Sequence, residues 1–310
     1  MRANKQVKQS VYNPLVTVII GNYNYEQFIG KAIDSVLNQT YENIEIIVVD
    51  DGSTDNSRKI IDSYGDRIIP VFKENGGQPS NYNAGFASSK GDIICFLDSD
   101  DIFLPNKVSR IVSIFESYKD IGWCFHSLQL INDSDKLLGA TTTVNYKSAE
   151  CDYRSILRRG KIPPHLPPCP TLCFKRSLLE QILPMPTTTK MPGSDHYVKF
   201  MAVAMSKGFI LAEDLTLQRI HSNNMGTLRK DIQHMKAREH LFTGYWINKN
   251  FSYLKKFADK LCGAGIALHW QSGNKDFENN QAIKRYFASA SLMERLKISC
   301  ISLYYYIKNR

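Results

Sequence analysis

The chain has 310 residues, 43% hydrophobic and 22% charged, and its 39 Lys and Arg against 30 Asp and Glu give a formal net charge of +9. This is ordinary globular composition, enough for one large domain or a domain with an appendage, and no apolar run is long enough to span a bilayer. The basic balance favours anionic partners (nucleic acid, an acidic membrane face or phosphorylated substrates) without separating them. Seven scattered cysteines, with Cys169 and Cys173 close together but no second Cys or His pair at zinc spacing, are expected to be reduced and mostly structural. The polar, basic opening MRANKQVKQSVYN has no apolar core of the signal-peptide kind, so a cytosolic chain is expected.

LVTVII (Leu15–Ile20) reads as a fully buried strand. Phe28, Ile29, Ala32, Ile33, Val36 and Leu37 then recur at helical spacing between Glu26 and Asn38. IEIIVVD is a second strand, ending at Asp50, and STDNSRKIIDSY opens with a capping signal and continues as a helix. IIPVF is a third strand, and Asn75-Gly76-Gly77 breaks the chain before a short helix over Pro79–Ala87. DIICFL is a fourth strand that runs into Asp98, Asp100 and Asp101. Pro105 marks a helix start reaching about Tyr118, and GWCFHS is a fifth strand. Strands apolar throughout and alternating with helices predict a mostly parallel sheet covered on both faces.

From Asp133 the pattern loosens. KIPPHLPPCP (Lys161–Pro170) reads as a shaped loop, because proline removes donors and fixes φ. TLCFKR is a strand candidate, SLLEQIL a short helix, and HYVKFMAVAMSKG a helix ending at a glycine. FILAEDLTLQRIHSNNMG runs through extended pieces to a turn, and from Lys230 the chain is helical and rich in aromatics. The C-terminal LKISCISLYYYIKNR is too short to span a membrane. It suits either a helix lying on a membrane or one packed on the domain or at a homodimer contact.

In an open parallel sheet, ligands bind outside the carboxyl ends of the strands. Those ends carry Asn22, Tyr23 and Asn24, then Asp50 and Asp51, then Asp98, Asp100 and Asp101. A single crevice with several carboxylates is therefore expected. Neither a dinucleotide fingerprint nor a GxxxxGK[ST] loop follows the first strand, so a phosphate there must be neutralised in another way. Asp98 and Asp100, two apart on an extended strand end, suit magnesium or manganese holding a diphosphate. Asp50-Asp51-Gly52 is open between a capped turn and an acid that reads a nucleoside.

VTVIIGNYNYEQFIGKAIDSVLNQTYENIEIIVVDDGSTDNS and ENGGQPSNYNAGFASSKGDIICFLDSDD resemble, in order and spacing, the opening blocks of the family 2 glycosyltransferases with their GT-A fold. The likeness covers Val16 to about Pro105, and GSDHYVKFMAVAMSKGFILAEDLTLQRIHSNNMG is similar to the acceptor-side segment. It implies an inverting, metal-dependent transfer from a nucleotide-diphosphate sugar, UDP-sugar first, to a hydroxyl of a saccharide or lipid-linked saccharide of the bacterial surface-polysaccharide type. It also implies residue roles. Tyr23, Asn24 and Asp51 would hold the nucleoside, with Asn83 and Arg219 in the same donor-binding set. Asp98 lies near the ribose or metal, Asp100 ligates Mn2+ or Mg2+, and His221 meets metal or phosphate. Asp195, at an acceptor-side helix start, is the general base. Ser194 replaces the usual Glu before that base, Gly21-Asn22 stands where Pro-Thr is frequent, and Tyr82 stands where a basic residue is common.

The expected organisation is a GT-A catalytic domain over 1–225 and a helical region over 226–310. The nucleotide-sugar half of the domain covers 14–130 and the acceptor half 131–225. A cytoplasmic enzyme with peripheral contact at the inner membrane face follows, with no nucleic-acid partner. The alternatives are a nucleotidyltransferase making nucleotide sugars and a non-catalytic nucleotide- or sugar-binding module.

Overall fold

A computed structural model describes residues 12–141, 147–164, 166–187, 194–222, 224, 232–273 and 275–308. The basic start of the chain, His165 of the proline-rich loop, Gly193 and most of the turn after Ser222 lie outside these residues. In chain order the elements are β1 (Val16–Asn22), α1 (Ile29–Leu37), β2 (Ile44–Asp50), α2 (Ser57–Asp62), β3 (Ile69–Phe72), α3 (Gln78–Ser88), β4 (Ile93–Asp98) and β5 (Ile102–Phe103). There follow α4 (Lys107–Ser117), β6 (Trp123–Ile131), β7 (Leu137–Thr141), β8 (Ala149–Cys151), α5 (Arg154–Arg158), β9 (Leu172–Lys175), α6 (Arg176–Leu179), α7 (Ser194–Met205) and β10 (Gly208–Arg219). The helices α8 (Ile232–Asn250), α9 (Lys255–Gln271), α10 (Phe277–Ala288) and α11 (Leu292–Lys308) complete the chain.

One sheet carries the order β3-β2-β1-β4-β9-β6-β10-β5. The pairings of β1 with β2 and β4, and of β2 with β3, are parallel, as the apolar strand pattern predicts. The sheet is mixed beyond β4, where β9 enters antiparallel between β4 and β6. The connection to β9 runs from β8 through the short helix α5. The chain then reaches β9 through the proline-rich loop, which allows the reversed direction. β10 is one long strand where separate extended pieces were expected. Register shifts between Leu211 and Asp214, and between Asp214 and Leu217, break its pairing with β6.

Alternate residues of each central strand feed two apolar layers. Val16, Val18 and Ile20 of β1 face α1 and α4, packing with Ile29, Ile33, Val36, Val108 and Ile111. Ile19, with Ile47, Val49, Ile94 and Phe96, faces the other way, toward α3 and α7. That second layer continues without a break into Leu241 and Phe242 of α8, Phe257 and Leu261 of α9, and Ile298 of α11. Burial on both faces is why these strands read as unbroken apolar runs. Each Ile or Val so enclosed contributes about 1.5–3 kcal/mol.

Candidate active site

The register of β1 sets the level of the site. Asn22 is opposite Asp50 on β2, and Gly21 is opposite Asp98 on β4. The acids after β2 and β4 therefore flank the end of the same central strand, on strand axes about 10 Å apart.

The β2 acids are tied into their own loops. Asp50 is buried and accepts from Asn22 Nδ2 (2.9 Å), the Ser53 amide (3.0 Å) and Arg58 Nε (2.8 Å). Burial alone would raise its pKa, but these donors hold it below the usual carboxylate range. Asp51, also buried, pairs with Lys73 and accepts from the amides of Gly76 (2.9 Å) and Gly77 (2.7 Å). It thereby fixes the 73–77 loop over the end of β2. An open pocket of about 500 Å³ lies beside it, lined by Gly52, Ser53, Arg58, Phe72, Lys73, Glu74 and Asn75. Tyr23 is 45% exposed at the rim. Asn24 has φ 55°, a left-handed conformation that Asn tolerates, and its side-chain oxygen accepts from the Thr54 amide at 2.8 Å.

The β4 acids are not neutralised in this way. Asp98 is half-buried, with Cys169 Sγ 3.4 Å from its Oδ1. Burial, then the charges of Asp100 and Asp195, push its carboxyl up to about 7. Asp101 is buried and accepts from the Arg219 amide at 2.8 Å; burial and its two acidic neighbours drive its pKa well up. Asp100 Oδ2 lies 3.0 Å from His221 Nε2 and 3.2 Å from Asn224 Nδ2. The His221 ring is set edge-on to Tyr25, with ring centroids 5.5 Å apart, and packs on Phe28 at 5.1 Å. Burial, then the three β4 acids, raise the Tyr25 phenol.

Negative charge collected without matching cations is the electrostatic signature of a site that takes a cation. Among the described residues no three His, Cys, Asp or Glu side chains converge as a complete metal site. The expected trio is thus only partly assembled: Asp100 meets His221, while Asp98 turns toward Cys169. A carboxylate and an imidazole beside uncompensated acid fit a divalent ion that keeps water or phosphate oxygens as its other ligands.

Two residues of the expected donor-binding set are engaged with the backbone. Arg219 is fully buried; its Nε donates to the Asp100 carbonyl (2.9 Å) and its Nη1 to the Asn132 carbonyl (2.9 Å), with Asp135 at 2.6 Å. Its guanidinium also stacks on Phe28, 4.6 Å from the ring centroid. It braces the backbone that presents Asp100. Asn83 gives both amide atoms to the backbone of Met185, each at 2.7 Å, and so clamps α3 to the loop after α6.

Asp195 stands in the first turn of α7, with Lys199 one turn on at 3.5 Å. It is close enough to the β4 acids for its charge to raise Asp98. The proline-rich loop lies between these elements and is held by two buried lysines. Lys199 donates to the Pro167 carbonyl at 3.0 Å, and Lys107 to the Pro170 carbonyl at 2.7 Å.

Sequence reasoning missed Glu239. Its helix, α8, docks on α7 through Thr243, whose hydroxyl lies 3.1 Å from His196 Nδ1. Glu239 is one turn earlier on the same face, beside the start of α7, with no hydrogen-bond or ion-pair partner among the described residues. Burial, then the Asp195 charge, push it up to about 7. Nothing local in the sequence marks it, because α8 reaches the site only through tertiary packing.

An α/β sheet of this order, with acids at the strand ends, has the GT-A architecture. The glycosyl transferase family 2 profile matches residues 17–183, and the chain belongs to that family. It is 37% identical over 213 residues to an uncharacterized glycosyltransferase of Nostoc sp., covering 67% of this chain and 66% of that one. The chain spans only 34% of the length of two Rickettsia glycosyltransferases that it matches. Among solved structures, S. aureus TarS 1–349 in complex with UDP-GlcNAc superposes with a TM-score of 0.63 at 14% identity, covering 94% of this chain and 89% of that one. The mannosyltransferase PcManGT from Pyrobaculum calidifontis, in complex with GDP-Man and Mn2+, gives 0.56 at 17% identity, covering 94% and 80%. At these identities the two structures share the fold.

Proposed function

We propose that the protein transfers a sugar, with inversion, from a UDP-sugar to a hydroxyl of a saccharide or lipid-linked saccharide, using Mn2+ or Mg2+. The observation that carries this reading is the placement of Asp195 across from uncompensated acids at the end of β4, beside the Asp100–His221 pair. The nucleoside lies against Tyr23, Asn24 and the loop that Asp51 holds. Asp100 and His221 would hold the cation, whose charge stabilises the departing diphosphate. UDP as the leaving group draws support from the UDP-GlcNAc complex of TarS, and a divalent ion from the Mn2+ complex of PcManGT.

The reaction is a single displacement. The acceptor oxygen bonds to the anomeric carbon as the bond to the diphosphate oxygen breaks, and that oxygen leaves with the electron pair. The acceptor proton passes to an Asp195 carboxylate oxygen. Inversion requires no protein nucleophile. The Asp195→Asn variant should bind UDP as the wild type does and lose about 10²–10⁴-fold in turnover. A panel of nucleotide sugars, scored by donor hydrolysis and thermal shift with manganese present, measures both. Unchanged turnover in Asp195→Asn would refute this assignment, and wild-type binding without turnover of any donor would favour a binding module.

A further inference from the structure

The last helix, α11, is apolar on two sides. Ile298 and Ser302 are fully buried against the rest of the chain. The contact with α9 is close: a Cβ at Gly263 would stand 2.5 Å from Ile301 Cγ2. The helix is thus docked, and its other side could have been polar at no cost to that docking. Instead Leu292, Met293, Leu296, Leu303, Tyr304 and Ile307 are each more than half exposed. At 100° per residue these positions, with the exposed Cys300, fall within one arc of about 120°. The stripe runs the length of the helix, about 25 Å.

No acidic residue falls within the stripe, and Lys297 and Lys308 border it along one edge. Lys297 is half exposed, with Asp259 at 3.7 Å, and Lys308 lies over the Tyr304 ring at 5.8 Å. The acid of α11, Glu294, is engaged by Lys255 at 3.2 Å. Charge chooses between the possible occupants. An antiparallel isologous pairing of two copies through this stripe would set the lysine-bearing edge of one against the same edge of the other. An anionic lipid surface instead meets lysines at its headgroups, tyrosine at the interface and leucines below. The net charge of +9 adds to that attraction. No helix among the described residues is long and apolar enough to cross a membrane, so α11 would lie along the surface.

We infer that the exposed stripe of α11 is a docking surface for an anionic lipid bilayer. On the reading given under Proposed function, this deepens the acceptor class: the enzyme works where a lipid-linked saccharide is held. The lipid contact itself does not depend on that reading, and its test needs no substrate.

The test is cosedimentation of the full chain with vesicles of phosphatidylcholine alone and of phosphatidylcholine with phosphatidylglycerol. The wild type should pellet with the anionic vesicles, less with the neutral ones, and less as salt rises. Replacing Leu296, Leu303 and Ile307 together by Gln should weaken binding roughly tenfold or more. Because all three side chains are exposed, the melting temperature and donor hydrolysis should stay at wild-type values. Lys297→Glu with Lys308→Glu should remove the preference for anionic vesicles. A wild type that stays in the supernatant with both vesicles overturns the inference, as does a triple variant that pellets unchanged. A wild-type dimer that the triple variant dissociates, with no lipid binding, overturns it in favour of a second copy.

Discussion

At the scale of single residues, the site depends on which charges are answered and which are not. Asp50 and Asp51 have full sets of donors from their own loops and act as scaffolding for the crevice. Asp98 has Cys169, and Asp100 has His221 and Asn224, with no Lys or Arg side chain paired to either among the described residues; Glu239 offers a test that needs no substrate. Its folded pKa, about 7, lies above the ordinary 4.5, so its favourable contribution is complete below about 4.5 and is lost as pH rises through 7. The isosteric Glu239→Gln variant lacks that loss. Its stability relative to wild type should therefore rise between pH 5 and pH 8, by about 1–3 kcal/mol. Thermal denaturation of both proteins at the two pH values measures this, and a difference independent of pH would show that burial and the Asp195 charge do not raise the Glu239 carboxyl.

At the scale of elements, close approaches hold the strands that aim the site. Gly208 opens β10 opposite Trp123 of β6, and a Cβ there would lie 1.9 Å from the indole. Trp123 is fully buried, stacks on Phe125 with ring centroids 4.5 Å apart and donates to the Ser206 carbonyl at 3.0 Å, so it cannot retreat. Gly208→Ala should cost about 1–3 kcal/mol or more, seen as a lowered denaturation midpoint. β10 carries Arg219 and leads to His221, so metal-linked stabilisation should weaken with it. A Gly208→Ala midpoint equal to wild type would show that β6 and β10 tolerate wider spacing. The β1–α1–β2 and β4 elements were legible in the sequence because burial on both faces leaves unbroken apolar runs, and the acids mark where those runs end. The antiparallel entry of β9 was not, because pairing partners distant in sequence leave no local period. The backbone contacts of Arg219 and Asn83 were not legible for a related reason: an Arg or Asn side chain looks the same in sequence whether it meets a phosphate or a backbone carbonyl.

At the scale of the whole molecule, one apolar layer joins the sheet to the C-terminal helices. Trp123, Phe174 and Tyr197 share a cluster with Leu241, Phe257 and Ile298. The helical region therefore helps build the core, brings Glu239 to the start of α7 and leaves the α11 stripe outside. The central claim concerns the crevice itself: loops from β1, β2 and β4 form a single pocket where a divalent ion on Asp100 links the protein to a nucleoside diphosphate. Calorimetric titration of UDP, with and without Mn2+, on wild type and Asp100→Ala, tests it most directly. The account predicts that Mn2+ tightens UDP binding to the wild type and that Asp100→Ala removes this linkage. Tight UDP binding indifferent to metal, or a linkage that survives in Asp100→Ala, would contradict it.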